Sequence, residues 1–259
     1  MKLSVLGSGS SGNAIYIGSA DTGILVDAGF SCKKMEEKLA KINVAPDSIN
    51  GLLITHEHTD HISGAGIFSR KYDVPIYITR KSFEAGKEKI GKVKEENIKI
   101  ITRDFKICEN IHVLPFEVMH DAEQTVGYEI KNSEGKKITL ATDIGYITNS
   151  VRERFKGSDA VLIESNYDYN MLMNGPYPWD LKNRVKGKNG HLSNYDCAKF
   201  IESIHHDFLQ KVYLVHISKD NNTYNTAYRT TREHLREEGI DVDIEVAEQE
   251  KTTEIFYIR

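Results

Sequence analysis

Residues 56–61 read His56-Glu57-His58-Thr59-Asp60-His61 and place four side chains that can bind metal within six positions. The preceding run, Gly51-Leu52-Leu53-Ile54-Thr55, is apolar and is typical of a buried strand. At the end of a strand, alternation directs His56 and His58 to the same side. A turn at Thr59 can then bring the next two side chains towards a second point nearby. The spacing predicts two adjacent metal ions, and it differs from the HExxH zinc motif because Asp60 stands four positions after His56.

The alternative for this cluster is a polar loop that holds three histidines by chance. We disfavour it, because burying so many His and Asp side chains costs free energy unless they are paired or bound to metal. Hydrolytic metal sites usually take three or more protein ligands and keep one position open for water, so further ligands are needed. His120, His216 and Asp143 each follow an apolar predicted strand and are the further candidates. Ordinary structural or surface roles are predicted for His112, His205, His206 and His234.

The composition is that of an ordinary globular enzyme. The 259 residues are 39% hydrophobic and 28% charged, and strand-like and helix-like segments alternate without a repeat or an obvious linker. We therefore expect an α/β fold and a single domain that spans residues 1–259. The net charge of −4 gives no bulk attraction to nucleic acid, so a nucleic-acid partner must depend on a local basic patch and on bound cations.

The cysteines and the apolar runs bear on the cellular compartment. Cys32, Cys108 and Cys197 are widely spaced and form no CxxC pair, which favours a reducing compartment over a disulfide framework. The first residues are too short an apolar run for a signal peptide, and no stretch approaches the roughly 18 apolar residues of a membrane span. The sequence therefore predicts a cytoplasmic protein with no membrane partner.

Local patterns predict several boundaries of secondary structure. Ser31 is expected to cap a helix that continues to Ile42, and Gly239 is expected to end a helix that begins near Thr226. The segment 167–189 contains Gly, Pro and basic residues with little periodicity. We predict one long functional loop for it.

The motif of residues 55–61, with Asp27 before it and His120, Asp143 and His216 after it, resembles the metallo-β-lactamase superfamily. The resemblance covers essentially the whole chain. It implies an αββα four-layer sandwich with the site at one edge of the two sheets. It also implies that one metal takes His56, His58 and His120, that a second takes Asp60, His61 and His216, and that Asp143 bridges them. Asp27 is implied to brace the metal loop.

Three further segments are similar to members of this superfamily that cleave phosphodiesters. Val215-His216-Ile217-Ser218 resembles the last ligand motif of tRNA 3′-processing ribonucleases, and Gly190-His191-Leu192-Ser193 resembles their leaving-group protonation element. Ile163-Glu164-Ser165-Asn166 resembles the segment whose Glu orients that His. The resemblance implies that Glu164 and His191 form a general-acid relay. The alternatives are a loop histidine that caps the next helix and an ordinary carboxylate at the end of a strand.

A closer resemblance is to the bacterial YycJ/VicX/WalJ family, which is associated with DNA exonuclease activity. It rests on Leu6–Asn13, Asp27–Ser31, Glu164–Asp168 and Gly190–Asn194. The Gly/Ser segment is expected to offer backbone N–H groups to a phosphate. Its candidate substrate-binding residues are Ser8, Ser10, Ser11 and Asn13. A tight turn between two strands is a compatible alternative.

A basic segment precedes His191 and is expected to contact a nucleic-acid backbone. Its candidate residues are Lys182, Arg184, Lys186 and Lys188. Four aromatic residues just before or within it are expected to stack on bases: Tyr167, Tyr169, Tyr177 and Trp179. The alternatives are a solvated charged loop and ordinary packing of the rings.

The expected function is hydrolysis of a phosphodiester by a dinuclear metal-dependent hydrolase that binds zinc or manganese. Asp60 or Asp143 is expected to orient the attacking water, and His191 to protonate the departing oxygen. The resemblance favours a DNA exonuclease, while the oligomeric state is left open. The alternative is a small-molecule metallohydrolase acting on a cyclic phosphate, thioester or lactone, which a closed narrow pocket would favour. A further alternative is a regulatory module that binds metal without turnover.

Overall fold

The computed structural model describes residues 1–259 and contains two mixed seven-stranded sheets. The first sheet comprises β1 (Lys2–Gly7), β2 (Ala14–Ser19), β3 (Thr22–Val26), β4 (Ile49–Leu53), β5 (Ile76–Ile78), β6 (Ile98–Ile100) and β14 (Phe256–Tyr257). The second comprises β7 (Phe105–Ile107), β8 (Ile111–Glu117), β9 (Val126–Asn132), β10 (Lys137–Ala141), β11 (Ala160–Glu164), β12 (Lys211–Val215) and β13 (Asp243–Val246). The spatial orders are β14-β1-β2-β3-β4-β5-β6 and β13-β12-β11-β10-β9-β8-β7.

The strand directions bring many carboxyl ends to one edge of each sheet. In the first sheet, β14 to β3 are antiparallel, and β3 to β6 are parallel. In the second sheet, β7 to β10 are antiparallel, and β10 to β13 are parallel. It follows that β1, β3 and β4 share one direction, and that β8, β10, β11 and β12 share one direction in the other sheet. The predicted site residues follow these strands.

The chain forms nine helices, and most of them cover the outer faces of the sheets. They are α1 (Cys32–Lys41), α2 (Thr59–Ile62), α3 (Ala65–Tyr72), α4 (Arg80–Ile90), α5 (Asn149–Phe155), α6 (Tyr169–Asn174), α7 (Trp179–Val185), α8 (Asn194–Ile204) and α9 (Tyr224–Glu237). None of them is both long and apolar enough to cross a membrane.

Three clusters of buried side chains define the layers. One cluster lies between the sheets and includes Leu53 of the first and Tyr128 of the second. A second packs α1 and α3 onto the first sheet through Met35 and Phe68, and a third packs α5, α8 and α9 onto the second sheet. The predicted αββα four-layer sandwich is confirmed, because each sheet buries one face against the other sheet and one against helices.

The predicted ends of α1 and α9 are confirmed within a residue or two. The Ser31 side chain accepts a hydrogen bond from the Lys34 amide, and Gly239 adopts a φ of 71° just after α9. The single loop predicted for residues 167–189 is wrong, because α6 and α7 occupy much of it. Asp168 caps α6, accepting from the Met171 amide, and Pro178 stands immediately before α7.

Candidate metal centre and active site

The His56–His61 motif lies in the turn that leaves β4 and enters α2. His56 Nε2 and His58 Nδ1 are 3.0 Å apart, and the His120 ring, just beyond β8, lies with its centroid 5.1 and 5.2 Å from theirs. These three rings form a first group whose ligand atoms all lie within 4.8 Å of one another. The alternation that places His56 and His58 on one side is therefore confirmed.

A second group forms on the other side of His56. Asp60 Oδ2 lies 3.5 Å from His61 Nε2 and 3.6 Å from His216 Nε2. Asp143, just after β10, contacts both groups: its carboxylate oxygens lie 3.2 Å from His61 Nε2 and 3.7 Å from His120 Nε2. All seven residues predicted as metal ligands thus come together in two adjacent groups, with Asp143 between them.

The histidine hydrogen bonds leave ring nitrogens free to bind metal. His61 Nδ1 lies 2.7 Å from Asp27, and His120 Nδ1 lies 3.1 Å from the Gly190 carbonyl oxygen. With Nδ1 donating its proton to these acceptors, each Nε2 keeps its lone pair on the side of the cluster, where that of His61 also lies 3.1 Å from the Asn13 side-chain amide. The Asp143 Oδ2 and His216 Nε2 atoms are buried without a hydrogen-bond partner. Buried polar atoms rarely lack partners, so this donor set fits divalent cations.

The pKa directions describe a cluster with excess negative charge. Burial lowers the pKa of His56 and His58, which favours the neutral imidazole that binds metal. Burial raises the pKa of the Asp143 carboxyl, but His216 and His61 outweigh burial and hold it well below its usual range. Burial lowers the pKa of His61 and His216, yet neighbouring carboxylates, Asp143 foremost, hold both well above the usual value. A cation would satisfy the same excess of negative charge.

Asp27 holds the metal-binding turn from behind. It follows β3 in the left-handed region, with a φ of 61°, and its carboxylate accepts from the Thr55 amide at 2.9 Å and from His61 Nδ1. Gly29 follows it closely, and a Cβ there would lie 1.6 Å from the Asp60 carbonyl oxygen. Only a glycine permits this close approach, so the segment after β3 sets the position of the metal-binding turn.

Glu164 and His191 form the predicted pair beside the metal ligands. His191 Nδ1 lies 2.7 Å from Glu164 Oε1, and the same oxygen lies 2.7 Å from His216 Nδ1. The other oxygen of Glu164 accepts from the amides of Ile144 and Leu192. Burial raises the pKa of Glu164, but His191 and His216 outweigh burial and lower it. Burial lowers the pKa of His191, which Glu164 more than offsets. This carboxylate is therefore ionised and fixes both rings.

The Gly/Ser segment between β1 and β2 supports the metal ligands from within. The Ser8 hydroxyl donates to Asn13 and accepts from the His216 amide, and the Asn13 side-chain amide contacts His61 Nε2 at 3.1 Å. Both side chains are buried. Substrate contact by Ser8 and Asn13 is contradicted by this burial, whereas Ser10 and Ser11 are exposed.

Most amides of this segment, though not that of Ser10, are also occupied, contrary to the predicted phosphate cradle. The amides of Ser8 and Gly12 donate to backbone carbonyls, and those of Gly9 and Ser11 donate to side-chain oxygens. The tight turn that was the alternative describes the segment better, because the amides of Gly9 and Gly12 close the turn itself and those of Ser8 and Ser11 fasten it to Glu248 and Gln249.

The basic segment divides into one buried residue and three exposed or partly exposed ones. Lys182 is buried in α7, and its Nζ donates to the Met173 carbonyl at 2.8 Å, so the predicted substrate contact is wrong for this residue. Arg184 pairs with Asp121 beside the metal groups. Lys186 lies over the exposed Trp179 ring and Lys188 over the exposed Tyr146 ring, with Nζ 5.1 and 5.6 Å from the ring centroids. The alternation of basic residues suggested that all four side chains share one surface, but residues 179–185 form a helix, in which side chains two positions apart point in different directions.

The other predicted stacking residues have different environments. Tyr167 is buried, and the Tyr177 hydroxyl donates to Asp220, whereas Tyr169 is exposed. Tyr167 therefore packs in the interior, in agreement with the alternative of ordinary ring packing.

A solvent-open central pocket of about 220 Å³ lies in front of the metal groups. His191 and His216 line it together with Ser10, Ser218 and Arg184. Sequence reasoning missed Asp121, which also lines it, and Asn166, whose side-chain amide donates to the His216 carbonyl at 2.8 Å. The one available signal was position, because Asp121 directly follows His120 and Asn166 lies within the segment 163–166 that was assigned a role only through Glu164.

Comparison with known proteins agrees with this geometry. A family model described as a β-lactamase superfamily domain matches residues 22–217. The chain is 37% identical to the exodeoxyribonuclease YycJ of Bacillus anthracis, over 100% of this chain and 99% of that protein. It is also 37% identical to the exodeoxyribonuclease WalJ of Streptococcus pneumoniae, over 95% and 93% of the two chains.

Solved structures of low sequence identity share the fold. Human tRNase Z, short form, superposes with a TM-score of 0.70 at 15% identity, and each chain is covered completely. The metallo-β-lactamase fold protein YhfI of Bacillus subtilis superposes with a TM-score of 0.73 at 13% identity, over 97% and 98% of the chains. With the ligand groups and these matches in hand, the chain is placed in the metallo-β-lactamase superfamily of metal-dependent hydrolases, within the family of YycJ and WalJ.

Proposed function

We propose that this chain is a dinuclear metal-dependent phosphodiester hydrolase and, specifically, a DNA exonuclease. The observation that carries the proposal is the Glu164–His191 pair, which stands beside the metal ligands and shares Glu164 with His216. A lactam or thioester hydrolase does not need a separate acid for a departing sugar oxygen, whereas phosphodiester cleavage gains from one. The activity named for both relatives supports the same choice.

The balance of charge supports two cations. Five carboxylates contact the histidine cluster, and Arg184 neutralises one of them, Asp121. The other four are Asp27, Asp60, Asp143 and Glu164. Two divalent cations would neutralise their four negative charges, whereas one would leave the buried cluster strongly negative. The mixed nitrogen and oxygen ligands suit zinc or manganese.

Each residue then has a defined task in the proposed reaction. When bound, the cations supply an activated water and neutralise charge that develops on the phosphate. Asp60 and Asp143 orient the attacking water towards the phosphorus atom, because each carboxylate is held between two histidine rings. Glu164 accepts the Nδ1 proton of His191, which leaves Nε2 to give a proton to the departing oxygen.

The surroundings of the central pocket suit a polymer better than a small enclosed substrate. Arg184 is 66% exposed at its rim, and the Lys186–Trp179 and Lys188–Tyr146 pairs lie on the adjoining surface. Basic and aromatic side chains of this kind bind phosphates and stack on bases of single strands. A closed narrow pocket, which would favour the small-molecule alternative, is not what the structure shows.

We also propose that residues 1–259 act as a single domain and that the protein works in the cytoplasm. The core between the sheets draws on strands from both halves of the chain. Its three cysteines are unpaired, as is usual in a reducing compartment.

The proposal is tested by incubating the protein with end-labelled DNA and RNA, single- and double-stranded, in zinc and in manganese. The expected result is stepwise shortening of DNA from an end, abolished by a chelator and restored by metal. Hydrolysis of a cyclic phosphate, thioester or lactone with no cleavage of either nucleic acid would instead support the small-molecule alternative. Faster cleavage of RNA than of DNA would contradict the DNA assignment alone.

A further inference from the structure

A second cavity adjoins the central pocket on the side away from His191. It encloses about 420 Å³, within the roughly 300–1,000 Å³ range of small-molecule sites. We name it the Ser11 cavity, and it is lined chiefly by Ser10, Ser11, Ser218, Lys219, Tyr224 and Gln249. Ser10 and Ser218 also line the central pocket, so the two spaces are continuous.

The central pocket also opens into a further concavity, away from the Ser11 cavity. A third concavity, lined in part by Arg184, Lys188 and Asn189, shares Asp121 and Arg184 with the central pocket. The reacting groups therefore stand in the middle of an open trough. A chain laid in that trough has one neighbour of the scissile phosphate on the Arg184 side and the other in the Ser11 cavity.

The chemistry of the Ser11 cavity suits one nucleotide unit. Lys219 is exposed at its wall and makes no ion pair in the structure, so its ammonium group is free to meet a phosphate. The carboxylate of Glu250, which also lines the cavity, is neutralised by Lys34 at 2.7 Å. The Tyr224 ring is 38% exposed and offers a flat face, and serine hydroxyls can bind a sugar.

We propose that the Ser11 cavity binds the nucleotide that keeps the phosphate after cleavage; this assignment rests on the proposed function. In that reaction, the attacking water gives up one proton to solvent as a bond forms from its oxygen to phosphorus, and the bond from phosphorus to the departing oxygen breaks. The departing oxygen takes the proton from His191, so it lies on the His191 side of the phosphate. His191 lines the central pocket, and Gly190 immediately before it also lines the third concavity, whereas neither residue lines the Ser11 cavity. The cavity is therefore left to the other side of the phosphate.

Two esters test which side of the phosphate the cavity serves. In thymidine 5′-(p-nitrophenyl phosphate), the nitrophenolate leaves and the thymidine keeps the phosphate, whereas methyl p-nitrophenyl phosphate has only a methyl group in place of thymidine. The wild-type protein is expected to hydrolyse the thymidine ester with a higher kcat/KM. Lys219→Gln should raise KM for the thymidine ester about threefold to tenfold and leave the methyl ester unchanged.

A filled cavity gives a stronger test. Ser11 is exposed, so Ser11→Trp adds an indole to the cavity without removing a buried contact of its side chain. It should abolish the preference for the thymidine ester and weaken the binding of thymidine 5′-monophosphate measured by calorimetry. The control that matches Lys219→Gln is Lys106→Gln, on the edge strand β7 of the second sheet, where Lys106 lies opposite His112 in the strand register.

The possible results separate the two proposals. If both variants keep the wild-type preference and bind thymidine 5′-monophosphate as tightly as the wild type does, the Ser11 cavity is not the nucleotide site. If the metal-loaded wild type hydrolyses neither ester and no oligonucleotide, the proposed function fails and the assignment fails with it. Equal effects on both esters would show a general disturbance of the centre and would also overturn the assignment.

Discussion

The metal centre and the basic surface before His191 differ in how tightly the fold determines their side chains. Within the metal centre, several rings have a second residue that fixes them, such as Asp27 behind His61, Gly190 behind His120 and Glu164 behind His216. On the basic surface, Lys186 and Lys188 rest on exposed aromatic rings and have no buried partner. Substitutions in the two regions should therefore change different quantities: metal binding in the first, and salt-dependent substrate binding in the second.

The largest effect is expected from His58→Ala in the metal centre. Because His58 belongs to the first ligand group, its loss should remove metal and activity together, by more than the roughly 10–100-fold typical of residues that only support a ligand. Metal content by mass spectrometry and hydrolysis by the same sample measure both. The control is His112→Ala, whose ring pairs with Asp104 outside the site. Full activity in a metal-free His58→Ala protein would show that hydrolysis does not depend on the bound metal.

His191→Ala should separate acid catalysis from metal binding. His191 is not one of the seven predicted metal ligands, so the metal content should stay at the wild-type value. Cleavage of DNA should slow by about 10²–10⁴-fold. An ester with nitrophenolate as the leaving group should be much less affected, because that group departs without a proton. An equal loss on DNA and on the nitrophenyl ester would contradict the acid role.

Asp27→Asn probes the support behind the metal-binding turn. The amide keeps the size of the side chain but removes the negative charge that faces His61 Nδ1. Metal affinity or activity is expected to fall by about 10–100-fold. Competition with a chromophoric chelator measures the affinity. An affinity equal to that of the wild type would mean that the turn holds its shape without this carboxylate.

Substitution of two lysines of the basic segment should affect different properties, namely stability for Lys182 and salt-dependent DNA binding for Lys188. Lys182→Met removes a buried donor from the Met173 carbonyl, so thermal unfolding should show a loss of about 1–3 kcal/mol. The salt dependence of DNA binding should not change. A stable Lys182→Met protein with weakened DNA binding would restore Lys182 as a substrate contact.

Lys188→Met is the matched change on the exposed surface and has the smallest expected effect. It should leave the unfolding temperature unchanged and reduce the slope of log K against log salt for DNA by about 0.7–0.9. Fluorescence anisotropy with labelled single-stranded DNA at several salt concentrations measures the slope. An unchanged slope would place the DNA elsewhere.

The same contrast explains how far the sequence could predict the structure. The meeting of the predicted metal ligands could be anticipated because a His follows apolar strands such as β4 and β12 within three residues, and local alternation then fixes which side the rings face. The roles of Ser8 and Asn13 were not, because their partners His216 and His61 are far away in the chain. Lys182 was misassigned because the helical packing that buries it depends on tertiary contacts that no local pattern records.

The central claim is that seven side chains converge on a pair of cations. Anomalous diffraction from crystals grown with zinc or manganese tests it most directly. We predict two peaks about 3.5–4 Å apart, one among His56, His58 and His120 and the other among Asp60, His61 and His216, with Asp143 between them. A single peak at saturating metal, or no peak among these residues, would contradict the account.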